Sequence, residues 1–241
     1  MLRLLKADFK ALLKWKATIY LLFSLILLVA LKRYMNTLNG ASAFDGIFEF
    51  VYIIMLIASV IVGLFIYRDY SQNTIRNKIV VGNSRASVYF SKAIVIGVFQ
   101  MAVVSLFIFI FVVSNLITGD INSIDWKIFW ENCVMIFATV MVTSSFVAML
   151  SINIKSPIGA MLPMIILFAV MMVGMFWMEY ARMNGNRKGI ELFQTLPVVS
   201  VISLDETVKP LNICKTTIIG FIVSIIMLEL GYVWFRKADL K

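Results

Sequence analysis

"IYRDYSQNTIRNKIVVGNSRASVYFSK", residues Ile66 to Lys92, is a polar, basic island between two of the most apolar runs of the chain. Arg68, Arg76, Lys78, Arg85 and Lys92 gather in it, with Gly82 and Asn83 as turn residues between them. The run before it, from about Phe48 to Tyr67, carries Glu49 as its single charge, and the run after it, Ala93 to Leu116, carries none. A hydrocarbon core of about 30 Å needs roughly 20 apolar residues of helix, and both flanks meet that length. The island is therefore a connector between two membrane spans, and the side on which it lies sets the topology.

The whole chain reads the same way. Its 241 residues are 61% hydrophobic and 15% charged, with a mean hydropathy of +0.95. Soluble domains sit near about 45–50% apolar and about 25% charged, so a membrane protein is predicted. Six spans are expected, at about 17–31, 48–67, 93–116, 133–152, 158–177 and 216–235. The fold class is all-α: a single six-helix transmembrane domain over 17–241, preceded by an interfacial helix over 1–16. A cleaved signal peptide is the alternative for the first run. The long basic lead-in and the lack of a small-x-small site before Lys32 argue against it.

Lysine and arginine orient the spans. With the N-terminus inside, the inner segments hold fourteen of these residues and the outer segments eight. Inner carboxylates are Asp8, Asp69 and Asp239, whereas nine lie outside and Glu229 falls within the last span. The positive-inside rule then puts both termini and the Ile66–Lys92 island in the cytoplasm. The net charge of +9 records this orientation and contact with anionic lipid; no nucleic-acid partner is expected.

Several chemistries drop out. Histidine is absent, which removes Ser-His and Cys-His nucleophile pairs and histidine-ligated metal. Cys133 and Cys214 match no zinc spacing, so no metal site and no catalytic residue is expected. A disulfide between these two cysteines stays open, since connectivity cannot be read from sequence. No G-x-x-x-x-G-K-[ST] run occurs, so the chain binds no cofactor of its own by that route.

Three pieces are not simple spans. In Met1–Lys16, Leu2, Leu5, Phe9, Leu12 and Leu13 share one helical face and Arg3, Lys6, Lys10 and Lys14 the other, which predicts an in-plane amphipathic helix. The plainer reading is an orientation signal. Within the island, Ser71 is the predicted N-cap and Gly82 the stop of a helix from Gln72 to Val81, with Ile75 and Ile79 on one face. Ser84 then caps a second helix running through Arg85, Tyr89 and Lys92 into the third span. An ordinary loop with basic anchors is the alternative. The third piece, "TLPVVSVISL" from Thr195 to Leu204, is apolar but too short to span. With Pro197 in its first turn, it reads as a re-entrant or surface helix, or otherwise as a buried loop strand.

"YRDYSQNTIRNKIVVGNSRASVYFSK" after the second span resembles the small permease subunits of type-2 ATP-binding-cassette transporters. Those often show an acidic-aromatic-Ser-x-x-Thr-(I/L)-(R/K)-x-K segment there, then Gly-x-Ser-Arg and a Ser-Lys entering the third span. The matching positions are Asp69, Tyr70, Ser71, Thr74, Ile75, Arg76, Lys78, Gly82, Ser84, Arg85, Ser91 and Lys92. "LLKADFKALLKWK" near the start and "FRKADLK" at the end look like the same family's usual termini. The resemblance implies that two permeases pair, as a homo- or heterodimer, each docked on a separate nucleotide-binding subunit that carries ATP and Mg. It further implies that the helix after the second span, with Ile79 on its apolar face, is the docking element. The function it implies is export of amphipathic or hydrophobic cargo, such as a peptide toxin, an antimicrobial peptide or a drug-like molecule, across a bacterial cytoplasmic membrane. The alternative is a secondary transporter or channel driven by an ion gradient, using Glu229 and Glu49.

Glu229 is expected to form a structural ion pair with a residue such as Arg236 or to snorkel; a coupling role or a substrate contact are the sharper readings. Met164 and Met171 belong to a methionine cluster in the fifth span. They suit an adaptable cargo passage, or simply interhelical packing.

Overall fold

The computed structural model describes residues 1–39, 47–118, 126–186, 189–190, 195–200 and 210–238. Helix α1 is Leu2–Leu13, α2 Lys16–Asn39, α3 Ile47–Ser71, α4 Thr74–Val80 and α5 Arg85–Thr118. Then follow α6 at Trp126–Asn153, α7 at Pro157–Met183, α8 at Pro197–Ser200 and α9 at Pro210–Lys237. Six of them, α2, α3, α5, α6, α7 and α9, are long and apolar enough to cross a membrane. They coincide with the six predicted spans, and the chain is a multi-pass membrane protein.

Most helices outrun their apolar segments, for reasons visible at each end. Helix α2 continues past Lys32 and Arg33 because neighbours receive both charges. Lys32 lies over the Phe50 ring at 5.3 Å, and Arg33 donates to the Ser114 carbonyl at 3.0 Å. Helix α6 starts at Trp126 instead of near Cys133, on an edge-to-face ladder of Trp126, Phe129 and Trp130. Aromatic belts of this kind mark the level of lipid headgroups. The greatest extension is in α5, whose 34 residues run about 51 Å at 1.5 Å per residue. Its first two turns are the predicted second helix of the island, capped by Ser84 Oγ, which accepts from the Ser87 amide at 3.2 Å.

Between the long helices, polar side chains find partners across the bundle, as they must where no water is at hand. Tyr52 of α3 donates to the Leu167 carbonyl of α7 at 2.6 Å. Gln100 of α5 donates to Ser59 of α3 at 3.0 Å. Asn153 of α6 donates to the Gly231 carbonyl of α9 at 3.0 Å, on the pair of helices that packs most extensively.

Helix α8 reaches far into this bundle. The Pro197 carbonyl accepts from Thr139, and a Cβ at Gly220 of α9 would stand 3.2 Å from the Pro197 ring. Thr139 is near the middle of α6, about 20 Å from either end. Pro197 opens the helix as predicted; residues 201–204 of the predicted segment lie outside the described residues, as does the side chain of Glu49. Cys133 and Cys214 are both free.

The alternating spans put the α3–α5 connector and the α7–α9 connector at opposite ends. In a background lacking Cys133 and Cys214, single cysteines at Ser71 and Asn186, both exposed, should therefore label oppositely. A membrane-impermeant maleimide on intact cells is expected to reach Asn186→Cys alone. Labelling of both positions from outside would overturn the six-span topology.

Candidate functional site

The connector between α3 and α5 departs from its predicted outline at one end and matches it at the other. Helix α3 runs through Ser71, whose Oγ closes the last turn by donating to the Arg68 carbonyl at 2.8 Å. Ser71 is therefore not the N-cap of the next helix. Asn73 takes that place with φ of 54°, a left-handed conformation that asparagine tolerates better than most residues, and α4 begins at Thr74 instead of Gln72. The C-terminal end follows prediction. Gly82, at φ of 101°, donates its amide to Ile79 at 2.9 Å, and the Asn83 amide reaches the Lys78 carbonyl at 3.2 Å. That pairing is a Schellman motif, and it favours a glycine in the left-handed position.

What holds α3 helical beyond the apolar run is a chain of ion pairs. Lys92, on the second turn of α5 and fully buried, is ion-paired with Asp69 of α3 and with Asp8 of α1, the latter at 2.9 Å. The same Asp8 oxygen receives Lys78 of α4 at 2.5 Å. Two carboxylates and two amines thus alternate as Lys78–Asp8–Lys92–Asp69, with no net charge. Aromatic faces finish the surroundings. The Lys92 ammonium stands 4.9 Å from the Phe65 ring, and Arg68 lies over Phe65 at 4.9 Å and over Trp15 at 5.3 Å. Burial, then the charge of Lys92, holds the Lys78 amine below the ordinary lysine range, while its bond to Asp8 works the other way.

Each predicted residue of the island now has a position. Asp69 is buried in the network, and the half-buried Tyr70 donates to the Ile152 carbonyl at the end of α6. Ile75 is buried and Ile79 half-buried, both in contact with the core of this chain. The apolar face of α4 therefore anchors it, and its outward surface consists of Arg76, Asn77, Val80 and Val81, the valines 76% and 82% exposed. Thr74 is half-buried, and Ser84 and Gly82 are exposed. Arg85 donates to the carbonyls of Arg236 and Ala238 at 2.7 and 3.0 Å, closing the end of α9. The connector is thereby tied to α1, α6 and α9 by charge or hydrogen bond.

Asp8 was not among the predicted site residues. A signal existed: it stands three residues after Leu5 and four before Leu12, on the apolar face of α1, where a carboxylate needs a partner.

Glu229 and the methionines fall elsewhere. Glu229 is exposed and makes no ion pair among the described residues, so the expected pair with Arg236 is not formed. Its neighbours Leu228 and Gly231 stand beside Phe90 and Tyr89 at the start of α5. Glu229 is thus near the level of Lys92, where its carboxylate can snorkel. Met164 and Met171 are half-buried and pack on the core, which fits the packing reading of these two side chains.

These features define a multi-pass membrane protein with a charge-locked connector at the end that carries α1 and the last turn of α9. No protein-family model matches the chain, and no similar curated protein or solved structure is found.

Removing one member of a buried ion pair strands the other, at about 3–5 kcal/mol. Lys92→Met should therefore lower the melting temperature of the detergent-purified protein markedly. Adding Asp69→Asn should recover much of the loss, because Asp8 keeps Lys78. Melting of the single variant at the wild-type temperature would show that the network does not hold the connector.

Proposed function

We propose that the chain is the permease subunit of an ATP-driven exporter, docked through α4 on a separate nucleotide-binding subunit that carries ATP and Mg. The supporting observation is the division of α4 into two faces. Ile75 and the Lys78–Asp8 pair fix one face to the bundle, while the other offers Arg76, Asn77, Val80 and Val81, which no described residue covers. A seven-residue helix so held transmits a push on its outer face to α3, α5 and α1. Exposed valines beside an arginine give a partner both apolar contact and a charge to read.

On this reading both termini lie in the cytoplasm of a bacterium, and α1 rests in the inner leaflet. Helix α8 is the outer re-entrant piece, its backbone tolerated at depth because α6, α7 and α9 enclose it. Two copies, or this chain and a related one, form the translocating unit. Cargo is amphipathic or hydrophobic, in keeping with an apolar bundle that exposes methionines along α7.

The docking face makes a sharp test, since Val80 and Val81 contribute nothing to the core. Val80→Asp with Val81→Asp should leave the melting temperature unchanged yet bury unpaired charge at the interface, weakening it by several kcal/mol. Loss of co-purification with the ATPase, and of cargo-dependent ATP hydrolysis in lipid, is the expected result. Full co-purification would remove α4 as the docking element. Cargo movement by the permease alone under an imposed ion gradient would replace the exporter with a carrier.

A further inference from the structure

Helix α1 packs against the start of α5, where Asp8 pairs with Lys92. The two helices leave a groove of about 760 Å³ between them. Its walls are Leu5, Phe9 and Leu13 on one side and Ile94 and Val98 on the other. Leu13, Ile94 and Val98 are exposed, so apolar surface of this groove is left uncovered by the described residues.

The rim is cationic. Lys6, Lys10 and Lys14 recur every fourth residue along it and line the groove, and none makes an ion pair among the described residues. The one acid of α1, Asp8, is turned inward to Lys78 and Lys92 and balances none of them. Like charges four residues apart oppose helix formation, so an anion bound along this rim would stabilise α1. The height is also fixed. Asp8 is pinned to Lys92, directly before Ala93 and Ile94, where α5 passes from polar to continuously apolar sequence.

We propose that this groove binds an anionic phospholipid, with an acyl chain against Phe9, Ile94 and Val98 and the phosphate between Lys6, Lys10 and Lys14. A soluble anion would satisfy the lysines and leave the apolar walls bare. A zwitterionic lipid would cover the walls and leave three like charges unbalanced. Only a ligand with both parts meets both requirements. The inference rests on the membrane-spanning fold and is independent of whether an ATPase docks on α4.

The test uses the full chain in detergent, titrated with phosphatidylglycerol or phosphatidylcholine, with bound lipid counted by native mass spectrometry. Phosphatidylglycerol should be retained in preference to phosphatidylcholine and should raise the melting temperature. The triple variant Lys6→Gln, Lys10→Gln, Lys14→Gln should bind it at least about tenfold more weakly, from about 1 kcal/mol per lysine near an anionic surface. Val98→Trp, which fills the groove and keeps every lysine, should lose it as well. Retention by Val98→Trp, or full displacement by millimolar inorganic phosphate, would overturn the lipid in favour of an anion site. Equal retention of the two lipids by the wild-type chain would overturn the site altogether.

Discussion

Lys92 is fully buried, so the residues around it are constrained in charge and in position. Asp69 is on the preceding span and Asp8 at the opposite end of the sequence separation, 84 residues away. Each carboxylate reaches Lys92 only if its own helix is placed correctly: α3 must continue past the apolar run, and α1 must pack against the start of α5. Lys78 then completes the charge balance and fixes α4 to the same point. Four helices are located by four side chains. A buried network of this kind contributes little net stability compared with apolar packing, because desolvation offsets most of the attraction. Its value lies in the penalty for misplacement, which selects one arrangement of α1 and α4 over the alternatives that a purely apolar contact would permit.

Elsewhere in the bundle the constraint is weaker and different in kind. Helices α2, α7 and α9 present long apolar faces outward, as expected where the surroundings are as greasy as the side chains. Association there depends on close packing and on single hydrogen bonds such as Tyr52 to Leu167 and Asn153 to Gly231. Helix α8 shows the same rule at its limit. A four-residue piece at mid-height is accommodated because Thr139 takes its carbonyl and Gly220 leaves room for its proline. The contrast divides the molecule into a charge-locked end and a bundle body held by apolar packing and single hydrogen bonds.

The spans were legible because twenty apolar residues in succession have few other uses. Their ends were not, since what extends α2, α5 and α6 is polar or aromatic sequence whose partners are distant: Arg33 needs Ser114, and Arg85 needs the end of α9. The turn at Gly82 and the cap at Ser84 were legible because both are local, set by a glycine and a hydroxyl within three residues of their partners. Ser71 misled for the converse reason. Its sequence context suits a cap, but Asp69 and Tyr70 are held from outside, by Lys92 and by Ile152, and the helix runs on. Ile75 and Ile79 were correctly placed on one face of α4. That the face turns inward depends on the depth at which α4 sits, which Lys78 and Asp8 determine and sequence spacing does not.

This arrangement bears on what α4 can do. A helix attached by apolar contact alone would slide when pushed, since such contacts have no preferred direction. Ile75 is such a contact, but Lys78 is not: its pair with Asp8 cannot shift by more than a fraction of an ångström without losing a charge-assisted hydrogen bond. Displacement of α4 must therefore carry Asp8, and through Lys92 also Asp69, along with it. The groove between α1 and α5 would feel that displacement first, because Asp8 is on the helix that forms one of its walls. A partner pressing on Val80 and Val81 would thus reach α1 through Lys78 and Asp8, and a lipid seated at Lys6, Lys10 and Lys14 would act on α1 directly.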